Sequence, residues 1–250
     1  YDTAARFPDS VVFRHKKAGV WTDVTWQEAE DAALAIAAGL IAEGLEPESA
    51  AAILSGNRVA WSFVDLGTLS AGVRNVPIYP TNTAEQVAYI LQDSGASFVF
   101  VEDRSQLEKV LQVKGELPGL RRIVVIEPHG EQDELVTDLA ALMEKGRGSL
   151  DRDAIEKRWK AVSPEDVATV IYTSGTTGNP KGVVYSHKGL FVTTLSMMVG
   201  DAISDYRSGV REVFMPMAPL FHGGGWLTPF SAPLMGAKLV LPGRDYAPEA

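Results

Sequence analysis

The chain has 250 residues, of which 46% are hydrophobic and 22% are charged, and its formal net charge is −9. A chain of this length and composition can bury a large core, which excludes disorder as its general state. The acidic balance and the lack of a long basic run argue against a nucleic-acid partner. Because the chain contains no cysteine, disulfides, thiolate catalysis and cysteine-based zinc sites are excluded, and a reducing, cytoplasmic setting fits.

Helix and strand patterns alternate along the first half of the chain. Thr25 and Glu28 form a capping box before an apolar helix that ends near Gly44, and Thr83 with Gln86 begins a second capped helix. Further helices are predicted at 59–72 and 106–114, and short buried strands at 50–54, 73–79, 97–101 and 122–126. Such alternation is typical of an α/β domain with mostly parallel strands.

The second half begins after a charged connection at 128–164, for which we predict two surface helices. At 163–166 the sequence has the pattern of a helix cap followed by a proline at the first helical position. Strands are then predicted at 167–172, 212–215 and 238–241, and a helix at 188–198. The fold prediction is therefore α/β, with two mixed or parallel sheets packed with helices. We predict a first subdomain at 1–160 and a second at 161–250.

A loop rich in glycine and hydroxyl groups follows the strand at 167–172, with the sequence YTSGTTGNPKG at 172–182. Its glycines permit close approach of a ligand, and its hydroxyl and backbone N–H groups can donate to phosphate oxygens. The candidate phosphate-binding residues are Thr173, Ser174, Gly175, Thr176, Thr177, Gly178 and Lys181. The loop is neither a Walker A loop nor a dinucleotide-binding Gly-x-Gly-x-x-Gly loop. The alternative interpretation is a polar surface loop without a ligand.

This string resembles the signature of the adenylate-forming superfamily, which includes acyl-CoA and aryl-CoA synthetases. The segments at 57–58, 76–81 and 83–102 resemble the early part of long-chain acyl-CoA synthetases, and 216–226 resembles a later family motif. The resemblance implies part of the N-terminal domain of a fatty-acid–CoA ligase that uses ATP, Mg²⁺ and CoA. It also implies that the loop holds the β- and γ-phosphates of ATP, with Lys181 catalytic and Thr173 in contact with the metal. An aryl acid stays open as the substrate class.

The run LFHGGGW at 220–226 is the second candidate site. The resemblance implies that His222 orients the acyl carboxylate and the α-phosphate, that Gly223 contacts substrate and that Trp226 faces the acyl tunnel. The alternative is a histidine satisfied within a turn and an ordinary core tryptophan. The same run resembles the oxyanion-hole motif of lipases and esterases, so an esterase-type hydrolase is a rival hypothesis. The phosphate-binding pattern upstream argues against that rival.

Members of the superfamily continue with further nucleotide-binding motifs and a small C-terminal domain that carries a catalytic lysine. Because those features are missing at 1–250, we expect this chain to be inactive alone. A non-catalytic nucleotide-binding fragment is therefore a third hypothesis. Acyl chain length, peripheral membrane contact and homodimer formation are left open by the sequence. Of the other histidines, His15 and His129 are expected at the surface and His187 is expected to be structural.

Overall fold

The computed structural model describes residues 2–17, 19–128, 130, 133–173, 179–205, 213–222 and 225–243. The helices are α1 (Asp2–Arg6), α2 (Trp26–Ala42), α3 (Val59–Ser70), α4 (Ala84–Ser94), α5 (Arg104–Val113), α6 (Leu139–Gly148), α7 (Arg152–Ala161), α8 (His187–Asp205) and α9 (Thr228–Leu234). The strands are β1 (Val11–Lys17), β2 (Val20–Thr25), β3 (Ala50–Leu54), β4 (Arg74–Ile78), β5 (Ala96–Val101), β6 (Arg122–Val125), β7 (Val136–Asp138), β8 (Val167–Thr173), β9 (Lys181–Ser186), β10 (Val213–Phe214) and β11 (Lys238–Leu241).

These strands form two sheets. The larger sheet has the order β7-β6-β5-β3-β4-β8-β9, and all its neighbouring strands are parallel except β8 and β9, which are antiparallel. The smaller sheet has the order β10-β11-β1-β2, in which β1 and β2 form an antiparallel hairpin. The predicted α/β class with two mixed or parallel sheets is confirmed.

The strands of each sheet come from both sides of the predicted boundary near residue 160. From beyond the boundary, β8 and β9 complete the larger sheet, while the N-terminal hairpin joins β11 in the smaller one. A division into subdomains at 1–160 and 161–250 stays a prediction, and it does not coincide with the division into sheets.

Side chains of the larger sheet alternate between two cores, as the pleat of a strand requires. In β3, Ala51 and Ile53 join the core that contains α2, α3 and the smaller sheet. Ala50, Ala52 and Leu54 join the other core, which α4 and α5 cover. All five side chains are buried, so this central strand is apolar throughout, as expected for a sheet covered on both faces.

Helix α2 lies between the two sheets and is buried continuously from Ala32 to Leu40. Its predicted capping box is confirmed: the Thr25 amide donates to Glu28 at 2.8 Å, and the Glu28 amide donates to the Thr25 hydroxyl at 3.2 Å. Helix α6 approaches it closely through Gly146. A Cβ atom there would lie 1.9 Å from the carbonyl oxygen of Ala35, so the packing requires a glycine.

The local predictions differ from the structure in several places. Residues 163–166 form a turn rather than a helix start, because the Asp166 amide donates to the Ser163 carbonyl at 3.0 Å and β8 begins at the next residue. The Asp166 carboxylate closes the same turn by accepting from the Ser163 amide at 2.7 Å. The N-terminal hairpin was missed, since β1 carries Arg14, Lys16 and Lys17 and β2 buries little of its apolar surface, so neither strand shows a clear apolar alternation. Helix α8 also extends beyond the predicted 188–198.

Candidate active site

Four neighbouring parallel strands, β5, β3, β4 and β8, end at one edge of the larger sheet. The segments that follow them are 102–103, 55–58, 79–82 and the loop after Thr173. Ligands of open α/β sheets bind at this carboxyl edge, where loops from several strands converge. Both candidate motifs reach this edge, one through β8 and one through a contact with the end of β3.

The first and last residues of the candidate phosphate loop, Thr173 and Lys181, face each other across an antiparallel hairpin. Thr173, the last residue of β8, lies opposite Lys181, the first residue of β9, and both side chains are exposed. Directly opposed strand residues have Cβ atoms about 4.5–5.5 Å apart, so one ligand can contact both. The residues between them, Ser174, Gly175, Thr176, Thr177 and Gly178, lie outside the described part of the chain.

Strand β8, which leads into this loop, is anchored to helix α4 on the face of the sheet that α4 and α5 cover. The Tyr172 hydroxyl donates to the Asp93 carboxylate of α4 at 2.6 Å. Burial and the adjacent carboxylate raise the pKa of Tyr172 well above its usual range. Gly182 faces the same side chain, and a Cβ there would approach the Tyr172 ring to 3.2 Å and Val170 to 2.9 Å. The base of the loop is therefore fixed by packing.

The His222 segment is a compact turn. The His222 amide donates to the Pro219 carbonyl at 3.0 Å, and the His222 carbonyl accepts from Gly225 and Trp226 at 2.9 Å each. A Cβ at Gly225 would lie 2.4 Å from the Pro219 oxygen, so this turn requires a glycine at that position. Gly223, predicted to contact substrate, lies outside the described residues.

The ring of His222 lies at the carboxyl edge beside Tyr79, which directly follows β4. The two ring centroids are 6.0 Å apart and the planes are almost perpendicular, at 86°. Tyr79 also packs edge-to-face against Phe221, with the centroids 4.9 Å apart. Since His222 is exposed, it can meet a ligand that is bound at this edge.

Trp226 behaves differently from its neighbour His222. Its side chain is 2% exposed and packs against Tyr185 of β9, with ring centroids 4.8 Å apart. In this structure Trp226 therefore contributes to the core that links the turn to β9. A position at an acyl tunnel stays a prediction.

The sequence analysis assigned no role to Asn57 or Tyr79, although both lie in segments that resemble the family. Asn57 follows β3 and bonds to the segment before His222, and Tyr79 packs against His222 itself. Only their positions in the sequence could have indicated these residues, because each comes just after a buried strand and just before a helix or a proline. Such a position indicates a loop at a sheet edge, but it does not identify the contact.

A charged group supports the end of β3. Arg58 forms an ion pair with the buried carboxylate of Glu102 and a second one with Glu127 at 2.7 Å. The Gly56 amide also donates to Glu102 at 2.7 Å. These contacts tie the segment after β3 to the segments after β5 and β6.

The described residues contain no group of three or more His, Cys, Asp or Glu side chains that could hold a metal ion. Mg²⁺ is commonly bound by one or two protein oxygens together with substrate phosphates and water. The exposed hydroxyl of Thr173 fits such a limited contact.

A groove of about 510 Å³ lies elsewhere, between α3, α7 and α8, and none of the predicted site residues lines it. His187 forms part of its wall. Burial lowers the pKa of His187, against the opposing effect of Asp166. Its amide also donates to the Asp166 carbonyl at 3.0 Å, and the structural role expected from the sequence stays a prediction.

No helix among the described residues has the length and apolar character needed to cross a bilayer.

The fold and the paired loop ends define an α/β domain with a phosphate-binding candidate at the carboxyl edge of its larger sheet. Residues 1–250 match the family described as AMP-binding enzyme, and the chain belongs to that family.

Two curated relatives are fatty-acid–CoA ligases by name. The long-chain-fatty-acid–CoA ligase FadD15 of Mycobacterium bovis is 39% identical over 183 residues, which cover 73% of this chain and 30% of the relative. A medium-chain-fatty-acid–CoA ligase of Ectopseudomonas oleovorans is 30% identical over 225 residues, covering 90% of this chain and 40% of the relative. The chain thus spans less than half the length of these relatives.

Solved structures share the fold. The anthranilate CoA ligase AuaEII in complex with anthranoyl-AMP has a TM-score of 0.77 at 22% identity, covering 98% of this chain and 44% of that one. Coronafacic acid ligase from Pectobacterium brasiliense has a TM-score of 0.81 at 16% identity, covering 97% and 44%. At these identities the likeness concerns the fold alone.

Proposed function

We propose that the protein containing this chain joins a fatty acid to CoA at the expense of ATP, through an acyl-adenylate. The observation that carries the proposal is the pairing of Thr173 with Lys181 across the β8–β9 hairpin, at the edge where His222 is exposed. A hydroxyl, a cation and an imidazole are thereby offered at one edge of the sheet. The family match and the names of the curated relatives support the reaction class.

In the first step, a carboxylate oxygen of the acid bonds to the α-phosphorus of ATP. The bond from that phosphorus to the bridging oxygen breaks, and pyrophosphate leaves with the electron pair. In the second step, the CoA sulfur bonds to the acyl carbon, AMP leaves, and the thiol proton passes to solvent. Because two anions must meet in the first step, positioning and local positive charge supply much of the catalysis.

The residues of this chain have distinct parts in that step. Lys181 would stabilise the charge that develops on the leaving pyrophosphate, and Thr173 would donate to or ligate at the phosphates. His222 would orient the carboxylate beside the α-phosphate. A bound Mg²⁺ would neutralise charge on the phosphate oxygens.

Fatty acids are the favoured substrates, because the curated relatives described above are named for them. Aryl acids are the competing class. The family match gives no support to the esterase-type hydrolase. A cytoplasmic location, peripheral membrane contact and a homodimer stay predictions.

The test is carboxylate-dependent exchange of pyrophosphate into ATP by the full-length natural protein, with short, medium and long fatty acids and benzoate. Exchange that increases with fatty-acid chain length supports the proposal. Exchange with benzoate alone would assign an aryl acid instead. Hydrolysis of an acyl ester without any exchange would overturn the proposal.

Replacement of the loop lysine gives the sharper form of this test. We expect Lys181→Ala to lower kcat for exchange by about 10²–10³, the usual cost of removing one group that stabilises transition-state charge. Lys188→Ala is the matched control, because Lys188 is an exposed lysine that pairs with Glu165 on the surface. Equal rates for the two variants would remove Lys181 from the proposed role.

Pyrophosphate exchange should also be measured with residues 1–250 alone, because this chain spans only 30–40% of the two curated relatives. We propose that it does not complete adenylation, which corresponds to the non-catalytic fragment hypothesis. Carboxylate-dependent exchange by residues 1–250 alone would contradict this.

A further inference from the structure

Asn57 makes a two-sided contact with the segment that leads to His222. Its Oδ1 atom accepts from the Leu220 amide at 2.7 Å, and its Nδ2 atom donates to the Ala218 carbonyl at 3.1 Å and to the Pro216 carbonyl at 3.5 Å. Rotating the amide by 180° would place its nitrogen against an N–H and its oxygen against two carbonyls. The partners therefore fix the orientation of the amide.

The segment that Asn57 holds has little regular structure of its own. Strand β10 ends at Phe214, and Pro216 and Pro219 have no N–H group to donate to a neighbouring strand. Met215 and Met217 are 51% and 65% exposed, so their side chains contribute little burial. The Asn57 amide therefore supplies a specific attachment of this segment to the end of β3, 163 residues away in sequence from Leu220.

A shift of this segment would move His222 directly. The carbonyl of Pro219, which lies between the two stronger contacts of Asn57, accepts the His222 amide at 3.0 Å. On the inner side of the turn, Gly225 packs so closely on Ala218 and Pro219 that even a Cβ would overlap with them. The turn thus transmits the position of its first residues to the histidine.

Asn57 itself stands on a rigid support. The preceding strand β3 is fully buried, and α3 begins at Val59. On either side of Asn57, Gly56 and Arg58 are both bonded to the buried Glu102. An immobile donor and acceptor at this point can define the place of a less regular segment.

We propose that Asn57 is a positioning residue for the reaction, which sets the place of His222 relative to the phosphate loop. This inference rests on the proposed function for its kinetic consequence, but its structural part stands on the contacts alone. A displacement of about 1 Å of a reacting group can cost about 10²-fold in rate. We therefore expect Asn57→Ala to lower kcat for exchange by about 10–100-fold, with the KM for ATP changed less than about 3-fold.

The experiment combines exchange kinetics with hydrogen–deuterium exchange in the full-length protein. Because the Leu220 amide bonds to the Asn57 side chain, Asn57→Ala should accelerate deuterium uptake in the peptide covering 217–222. Asn57→Asp keeps the acceptor for that amide and loses the donor to Ala218. It should therefore retain protection at Leu220 and show an intermediate kcat. This milder variant also serves if the alanine variant fails to fold.

Gln112→Ala is the matched control, since Gln112 carries an exposed side-chain amide on α5, outside the segments that form the candidate edge. It should leave both measurements unchanged. Unchanged deuterium uptake at 217–222 in Asn57→Ala would overturn the contact, and faster uptake with unchanged kcat would overturn the positioning role. If the wild-type protein shows no exchange with any acid, the proposed function fails. The deuterium measurement would still test whether Asn57 holds the turn.

Discussion

The region around α2 and the region after residue 180 bury their apolar side chains to very different degrees. Around α2, two sheets and several helices enclose a helix that α6 approaches to backbone contact, where Gly146 of α6 meets Ala35. After residue 180, many large apolar side chains are exposed among the described residues. They are Val183, Val184, Phe191, Val192, Leu195, Val213, Met215, Met217 and Leu234. The first region is therefore the more completely packed, while the second carries Lys181 and His222 of the candidate site.

The largest effect is expected from pH, which should change the stability of the first region through a carboxyl group buried on α3, the helix that packs against α2. Asp65 of α3 is 1% exposed, accepts from Asn75 at 2.5 Å, and has its pKa raised from 3.8 to about 7 by burial. Because the folded state binds this proton more tightly, its contribution to stability is fully present below about pH 4. It is lost as the pH rises through 7, at a total cost on the order of 4 kcal/mol.

Asp65→Asn should remove this part of the pH dependence, because an amide has the shape of the protonated acid. The measurement is the free energy of unfolding of both proteins from pH 4 to pH 8. Exposed Asp31→Asn on α2 controls for the change in net charge. Parallel curves for the wild type and Asp65→Asn would show that Asp65 titrates normally.

A single methyl group tests the close packing of the first region. Gly146→Ala places a Cβ against the carbonyl of Ala35 and should lower the free energy of unfolding by about 1–3 kcal/mol. Gly148→Ala, two residues further along the same helix, meets nothing within 4 Å and should be neutral or stabilise by up to about 1 kcal/mol. Denaturant titration compares them, and equal midpoints would contradict the proposed helix contact.

The smallest effect is expected in the second region. Phe191 of α8 is 58% exposed, so Phe191→Gln should change the free energy of unfolding by no more than about 0.5 kcal/mol. Self-association measured by light scattering should decrease, because the variant removes exposed apolar surface. A stability loss well above 1 kcal/mol would show that this side chain is buried in solution and would weaken the contrast between the regions.

The sequence predicted best what neighbouring residues decide among themselves. The capping boxes of α2 and α4 depend on residues three apart, Thr25 with Glu28 and Thr83 with Gln86, and both are present. Contacts across the chain were not predictable in this way. Nothing near Asn57 indicates that its partner is Leu220, and nothing in β8 indicates that its parallel neighbour is β4. The candidate site was found where a local motif is dense, and its supporting residues were missed because they are distant in sequence.

The pairing of β1 with β11 has a consequence for folding during synthesis on the ribosome. Phe13 lies beside Leu239 in the smaller sheet, 226 residues later in the chain (239 − 13), so the N-terminal hairpin gains this neighbour only after that stretch has been translated. At about 5–20 residues per second, that interval is roughly 10–45 s. The strands β3 to β6 can associate much earlier, because each follows soon after another. Vectorial synthesis would therefore bring β3 to β6 of the larger sheet together while β1 of the smaller sheet still lacks its partner β11.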